Sequence, residues 1–125
     1  MANYPNKDAR LGNGVGLDTP AGMIETLRAM QGEGYGINDL PADGDALIAA
    51  IKAGPTNDFK SLGSREIRVT LKRKDYQSAF DTLPQTIRDQ VFEAWGDPKN
   101  DPFYLADRAA FALSILPMGN VVVGL

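Results

Sequence analysis

Cysteine and histidine are both absent from the 125-residue chain. Without cysteine there is no disulfide framework and no thiolate chemistry. Without histidine, a serine nucleophile lacks its usual imidazole base, and a catalytic zinc or cobalt ion lacks its usual nitrogen ligands. Metal chemistry would have to rely on carboxylates, which suit magnesium or calcium. We therefore predict neither catalytic nor metal-binding residues in this chain.

Long apolar runs and an excess of positive charge are also missing. No apolar stretch approaches the roughly 18 residues of a membrane span. Polar residues follow Met1 almost at once, so no signal peptide is predicted. The net charge of −3 argues against sequence-independent nucleic-acid binding, which needs a basic surface. The simplest interpretation is a cytoplasmic chain with neither nucleic acid nor membrane as a partner.

The residues that are present predict several helices. Hydrophobic residues make up 43% of the chain, enough for a packed core. Apolar spacing and capping residues predict helices at 20–33 and 44–53. A third helical region spans 75–95 and restarts at Pro84, because the residue before a proline avoids the helical conformation. Phe92 and Trp95, two of the aromatic residues of this region, are expected to contribute to the core.

Short strands complete the predicted fold. They are expected at 2–4, 109–115 and 120–125, and residues 67–72 form either a further strand or an extended lead-in to a helix. The N-terminal strand and the two C-terminal strands should share one sheet. We predict a single α/β domain over residues 1–125, with a small sheet of about three or four strands packed by three or four helices.

A polar segment with three alternating glycines, Gly12, Gly14 and Gly16, precedes the first helix. Its spacing matches neither the dinucleotide-binding fingerprint nor the Walker A motif. Asp18 would also place a negative charge where a phosphate would sit. We predict a loop whose glycines adopt positive φ angles. An alternative is that its exposed backbone amides hold a substrate carboxylate or amide.

Two charged runs are less specific. Asp97, Asp101 and Asp107 form the richest cluster of carboxylates, and a solvated turn is favoured there over a cation site. Ordering such a loop would cost roughly 1–2 kcal/mol per residue, so we expect no micromolar cobalt(II) binding. The basic run 72–74 is expected to be a solvated face, with contact to an acidic partner as the alternative.

Four stretches in this order carry a resemblance to a known family: ANYPNKDARLGNGVGLDTPAG, LPADGDALIAAIKAGPTN, DYQSAFDTLP and MGNVVVGL. Together they resemble the large subunit of aerobic cobaltochelatase, the CobN family, which is related to the magnesium chelatase H subunit. The resemblance covers most of the chain and is weakest at 55–70. Because that subunit is much longer and continues into histidine-bearing segments, the resemblance implies an internal fragment, inactive by itself.

The resemblance implies a function for the parent protein. It implies a ligase that inserts cobalt(II) into hydrogenobyrinic acid a,c-diamide, a tetrapyrrole of cobalamin biosynthesis. The fragment would bind no cofactor, and ATP would be hydrolysed by an AAA+ motor and its companion subunit. The implied partners are these subunits, the tetrapyrrole and the remainder of the large subunit. A non-catalytic assembly module and a segment of a magnesium chelatase H-type subunit are the alternatives.

The resemblance implies that the glycine segment is a feature of the CobN family. This segment contains the candidate substrate-binding residues. They are Asn13, Gly14 and Asp18, which would act through backbone amides and side-chain hydrogen bonds. The alternative is that these residues only shape the loop.

Overall fold

A computed structural model describes residues 1, 8, 11–14 and 16–125 of the chain. Its mixture of helices and short antiparallel strands confirms the predicted α/β class. In chain order the elements are β1 (Asn13–Gly14), β2 (Leu17–Asp18), α1 (Thr19–Gly32), α2 (Gly44–Lys52), β3 (Thr70–Lys72), α3 (Arg73–Phe80), α4 (Gln85–Trp95), β4 (Tyr104–Leu105), β5 (Ala110–Ala112), β6 (Ile115–Met118) and β7 (Val121–Gly124), with 3-10 turns at Phe59–Ser64 and Pro98–Asn100.

The contacts within the chain form two compact units. The first combines Met1–Arg68 with Ser114–Leu125, and the second is the continuous segment Val69–Leu113. A single domain over residues 1–125 therefore stays a prediction. No helix among residues 1, 8, 11–14 and 16–125 is long and apolar enough to cross a membrane.

Local capping explains where α1 and α2 begin. The Asp18 carboxylate accepts a hydrogen bond from the backbone N–H of Ala21 at 3.0 Å, and Pro20 occupies the first turn. Asp43 caps α2 in the same way, accepting from the N–H of Ala46 at 2.8 Å. Both predicted helices are confirmed, because each start signal lies within four residues of the turn that it stabilises.

The core of the first unit lies among α1, α2 and the β6–β7 hairpin. Leu47 of α2 is 0% exposed. The hairpin closes through a turn at Gly119, whose φ of +79° is a conformation that glycine adopts without steric cost. The buried apolar residues of this core are Leu11, Ile24, Leu27, Ile37, Leu47, Ile51, Met118 and Val123.

The second unit contains a three-stranded antiparallel sheet in the order β3-β5-β4. Phe111 of β5 contacts the rings of Tyr76 and Tyr104, with centroids 5.4 and 5.3 Å apart. The helical region is divided between α3 and α4, with Pro84 as the N-cap of α4. The predicted restart at this proline is confirmed.

The prediction that the two C-terminal strands share one sheet is wrong. The predicted strands at 109–115 and 120–125 do not share a sheet, since β5 pairs with β3 and β4 whereas β7 pairs with β6. The short turn after Met118 lets β6 and β7 pair locally at little entropic cost. The strand predicted at 2–4 lies outside the described residues, and residues 67–72 form a strand only over β3.

The expected burial of α4 is also wrong. Neither α3 nor α4 has a buried residue. Trp95 is 84% exposed and Phe92 is 60% exposed. The periodic apolar positions of α4 form an amphipathic helix, as the pattern indicates, but Ile87 and Trp95 of its apolar face are exposed.

Candidate functional site

The three predicted substrate-binding residues lie together in the β1–β2 hairpin. Asn13 pairs with Asp18, and Gly14 pairs with Leu17, in antiparallel register. Gly12 and Gly16 have φ angles of +68° and +71°. The predicted positive φ is therefore confirmed for Gly12 and Gly16, whereas Gly14 pairs with Leu17 in β1 without it. The hairpin leads directly into α1.

Two of these residues, Gly14 and Asp18, have structural roles in the hairpin. The Asp18 carboxylate caps α1, as described above. A side chain at Gly14 would bring a Cβ atom within 2.9 Å of the Thr19 hydroxyl oxygen, closer than a normal contact. These roles fit the alternative in which the residues shape the loop. Substrate binding by Asn13, Gly14 and Asp18 stays a prediction.

The first unit contains a partly buried ionic cluster that the sequence did not predict. The Arg65 guanidinium contacts the Asp8 carboxylate at 2.5 Å, and the two side chains are only 12% and 15% exposed. Thr56, which is 1% exposed, donates its hydroxyl to the other Asp8 oxygen at 2.6 Å. Arg65 also donates to Ser61 Oγ at 2.9 Å and lies 3.6 Å from the Asp58 carboxylate. The cluster ties the 55–65 segment to Asp8.

The environment of Asp8 fixes its charge. Burial raises the pKa of the Asp8 carboxyl group, because removal from water disfavours the charged form. Hydrogen bonds from Thr56 and Arg65 and the positive charges of Arg65 and Lys52 act in the opposite direction, and together they hold the pKa below its ordinary value of 3.8. Asp8 is therefore ionised at neutral pH, which suits a structural ion pair and not a general acid.

The acidic loop does not assemble a cation site among the residues that the structure describes. Asp97 Oδ1 accepts from the N–H of Lys99 at 2.9 Å, and Asp101 Oδ1 accepts from the N–H of Phe103 at 2.8 Å. Each carboxylate thus stabilises its own turn, and Asp107 lies 3.7 Å from Arg108. Across the described ranges, no group of three or more acidic side chains is placed to hold a metal ion.

The second unit contains an apolar hollow that the sequence did not reveal. Its volume is about 370 Å³, and α4 contributes Val91 and Trp95 to its wall. Aromatic rings and two carboxylates can orient a flat, partly polar group or a protein side chain. The further lining residues are Leu71, Tyr76, Gly96, Asp97, Pro98, Asp101, Phe103, Phe111, Ala112 and Leu113.

Comparison with known proteins gives the family. The profile of the family described as CobN/Magnesium Chelatase matches residues 1–125. This chain belongs to the CobN/magnesium chelatase family. The predicted resemblance is thereby confirmed over the whole chain, including the 55–70 segment where it was weakest.

Two curated members of the CobN family are similar to this chain. An aerobic cobaltochelatase subunit CobN from Sinorhizobium sp is 54% identical over 125 residues, which are all of this chain and 10% of that protein. The Pseudomonas aeruginosa protein of the same name is 42% identical over 112 residues, 90% of this chain and 9% of that protein. The chain thus spans about a tenth of the length of these relatives.

A more distant relative is an uncharacterised protein of Methanocaldococcus jannaschii, 27% identical over 97 residues, 75% of this chain and 8% of that protein. No solved structure matches the chain.

Proposed function

We propose that this chain is a segment of the large, tetrapyrrole-binding subunit of an ATP-dependent cobaltochelatase. The observation that carries the proposal is the 54% identity over the whole chain to a protein named as an aerobic cobaltochelatase subunit. In this proposal the complete enzyme inserts cobalt(II) into hydrogenobyrinic acid a,c-diamide during cytoplasmic cobalamin biosynthesis. An AAA+ motor and its companion subunit hydrolyse the ATP.

The chemistry of the chain supports a non-catalytic role for this segment within the enzyme. It has no imidazole and no thiolate, the ligands that cobalt prefers among protein side chains. The Asp8 carboxylate, which is 15% exposed, is ionised and engaged by Thr56 and Arg65. We therefore assign cobalt handling to other parts of the parent subunit and assign this segment to shaping and assembly.

A chimaera tests the proposal. The matching tenth of the Sinorhizobium subunit is replaced by this chain, and cobalt insertion into hydrogenobyrinic acid a,c-diamide is measured with the two partner subunits and ATP. We expect activity within a fewfold of the parent. A second chimaera places the chain in a magnesium chelatase H subunit, where we expect loss of activity. Activity in the magnesium enzyme alone would contradict the proposal and favour an H-type segment.

A second candidate function, a binding or assembly module, is favoured by a separate observation. Four large apolar side chains between positions 83 and 95 are at least 40% exposed, namely Leu83, Ile87, Phe92 and Trp95. An apolar helix face of this kind marks a site of protein contact more often than a free surface. This function is compatible with the first, because a large subunit needs internal and intersubunit contacts.

A further inference from the structure

The second unit carries a cluster of positive charge drawn from two separate parts of its chain. Lys72, Arg73 and Lys74 lie at the junction of β3 and α3, and Arg108 lies in the loop before β5. The backbone N–H of Arg73 donates to the carbonyl of Ala109 at 2.9 Å, which holds the two segments together. The four cations line one open hollow of about 530 Å³.

Three of the four cations are not neutralised within the described part of the chain. Among these residues, Lys72, Arg73 and Lys74 form no ion pair, and the buried Nε of Arg73 has no hydrogen-bond partner. The acidic residues close to it in sequence are Asp75 and Asp107, and Asp107 lies 3.7 Å from Arg108. Cations in the first turn of a helix are also unfavourable, because that end carries partial positive charge.

The cationic hollow adjoins the apolar face of α4. Arg73 and Gln77 line both the cationic hollow and a neighbouring one of about 200 Å³, which is bounded by Phe80 and Phe92. That second hollow shares Tyr76 and other lining residues with the 370 Å³ hollow beside Trp95. One surface of the second unit therefore runs from four cations to a group of exposed aromatic side chains.

We propose that this surface is the docking site for a protein segment that carries acidic side chains next to bulky apolar ones. The apolar side chains would cover Phe92 and Trp95, while the carboxylates would pair with Lys72, Arg73 and Lys74. Exposed tryptophan and arginine are the residue types that dominate binding energy in protein interfaces. The acidic groups belong at the cationic end, since Asp97 and Asp101 line the aromatic end.

The docking proposal rests on the proposed function in one respect, since the complete enzyme would supply the docking segment. The chimaera assay reports on chelatase activity, whereas the surface is tested by binding to the chain itself. Either can therefore fail without the other.

Trp95 supplies a site-specific probe, since it is the single tryptophan of the chain. Two tryptophan-free 16-residue peptides with leucine and phenylalanine at identical positions, and glutamate or lysine at all others, are titrated into the 125-residue chain. We expect the glutamate peptide to move the Trp95 emission to shorter wavelength and to reduce its quenching by acrylamide. The lysine peptide should require at least about tenfold higher concentration, because like charges oppose it.

Matched variants locate the interaction. Lys72→Glu combined with Lys74→Glu should weaken the glutamate peptide by roughly tenfold, as expected for reversing two exposed charges. Phe92→Ser should weaken both peptides. The control Lys60→Glu reverses an exposed charge of the first unit and should change nothing. Far-ultraviolet circular dichroism verifies that the variants keep the helical content of the parent.

Several outcomes would overturn the proposal. Equal binding of the two peptides would show that charge does not contribute to docking. An unchanged Trp95 emission would show that α4 does not take part. Equal loss of binding in the Lys60→Glu control would show that only net charge matters. A blue shift that appears with chain concentration alone, together with self-association in sedimentation, would identify a second copy as the occupant instead.

Discussion

Replacement of Gly119 by alanine should be among the most damaging small substitutions in the first unit. A Cβ atom at this position would lie 2.0 Å from the carbonyl oxygen of Gly36, whereas ordinary contacts begin at 3.4 Å. The β6–β7 turn and the Gly36 backbone would have to separate by about 1.4 Å. No flexible side chain can absorb this shift, because the two nearest atoms, the carbonyl oxygen and carbon of Gly36, belong to the backbone.

The expected cost has two sources. The shift would break two backbone hydrogen bonds, Asn120 N–H to Gly36 O at 2.9 Å and Asn38 N–H to Met118 O at 3.4 Å. These contribute about 1 kcal/mol each. Alanine at a φ of +79° adds about 1–2 kcal/mol of backbone strain. The free energy of unfolding should therefore fall by roughly 3–4 kcal/mol, a large part of the 5–15 kcal/mol typical of a domain.

Urea unfolding followed by circular dichroism measures this loss. With an m-value of roughly 1–3 kcal/mol/M, the midpoint for Gly119→Ala should fall by more than about 1 M. Gly34→Ala is the matched control, since Gly34 also has a positive φ, +93°, but a Cβ there meets open space. The control should lose only the strain contribution of about 1–2 kcal/mol. Equal losses in the two variants would refute the role of the Gly36 contact.

The other expectations concern the ion cluster, α4 and cobalt. Arg65→Met should lower the free energy of unfolding by about 1–3 kcal/mol, because it removes the ion-pair partner of the partly buried Asp8 carboxylate. Folding lowers the pKa of the Asp8 carboxyl group, so the stabilisation by ionised Asp8 is complete above about pH 4 and is lost as the pH falls below that value. The urea midpoints of the parent and of Asp8→Asn should therefore converge in acid. Trp95→Ser should change the free energy of unfolding by less than about 0.5 kcal/mol, whereas Leu47→Ala should lower it by about 2–5 kcal/mol. Equal losses of stability in the two variants would show that α4 belongs to a core. Calorimetric titration should show no micromolar cobalt(II) site, and a site abolished by Asp101→Asn would contradict this expectation.

Local signals explain what the sequence could predict. The starts of α1 and α2 follow from Asp18 and Asp43, whose carboxylates bond to amides three residues away. The end of α4 follows from Gly96, which has a φ of +75°. Such interactions depend on neighbours in the chain and on few tertiary contacts, so spacing and residue type are sufficient to find them.

Interactions between distant residues explain what the sequence could not predict. Asp8 and Arg65 are 57 positions apart in the sequence, and no sequence motif links the two residues. The exposure of Trp95 was missed because apolar periodicity identifies a helix face but not whether anything covers it. Asn13, Gly14 and Asp18 lie in the two paired strands of one hairpin, and Asp18 caps α1 without any substrate.

The division of the chain has a consequence for its synthesis on the ribosome. Val69–Leu113 is continuous, and the N–H of Leu113 donates to the carbonyl of Val69 at 3.0 Å, so this segment starts and ends at one hydrogen-bonded pair. The first unit, in contrast, draws Met118 and Val123 of its core from the last residues of the chain. Its core stays incomplete until these residues leave the exit tunnel, by which time all of Val69–Leu113 has already emerged. The segment in the middle of the sequence can therefore complete its internal contacts before the unit that begins ahead of it.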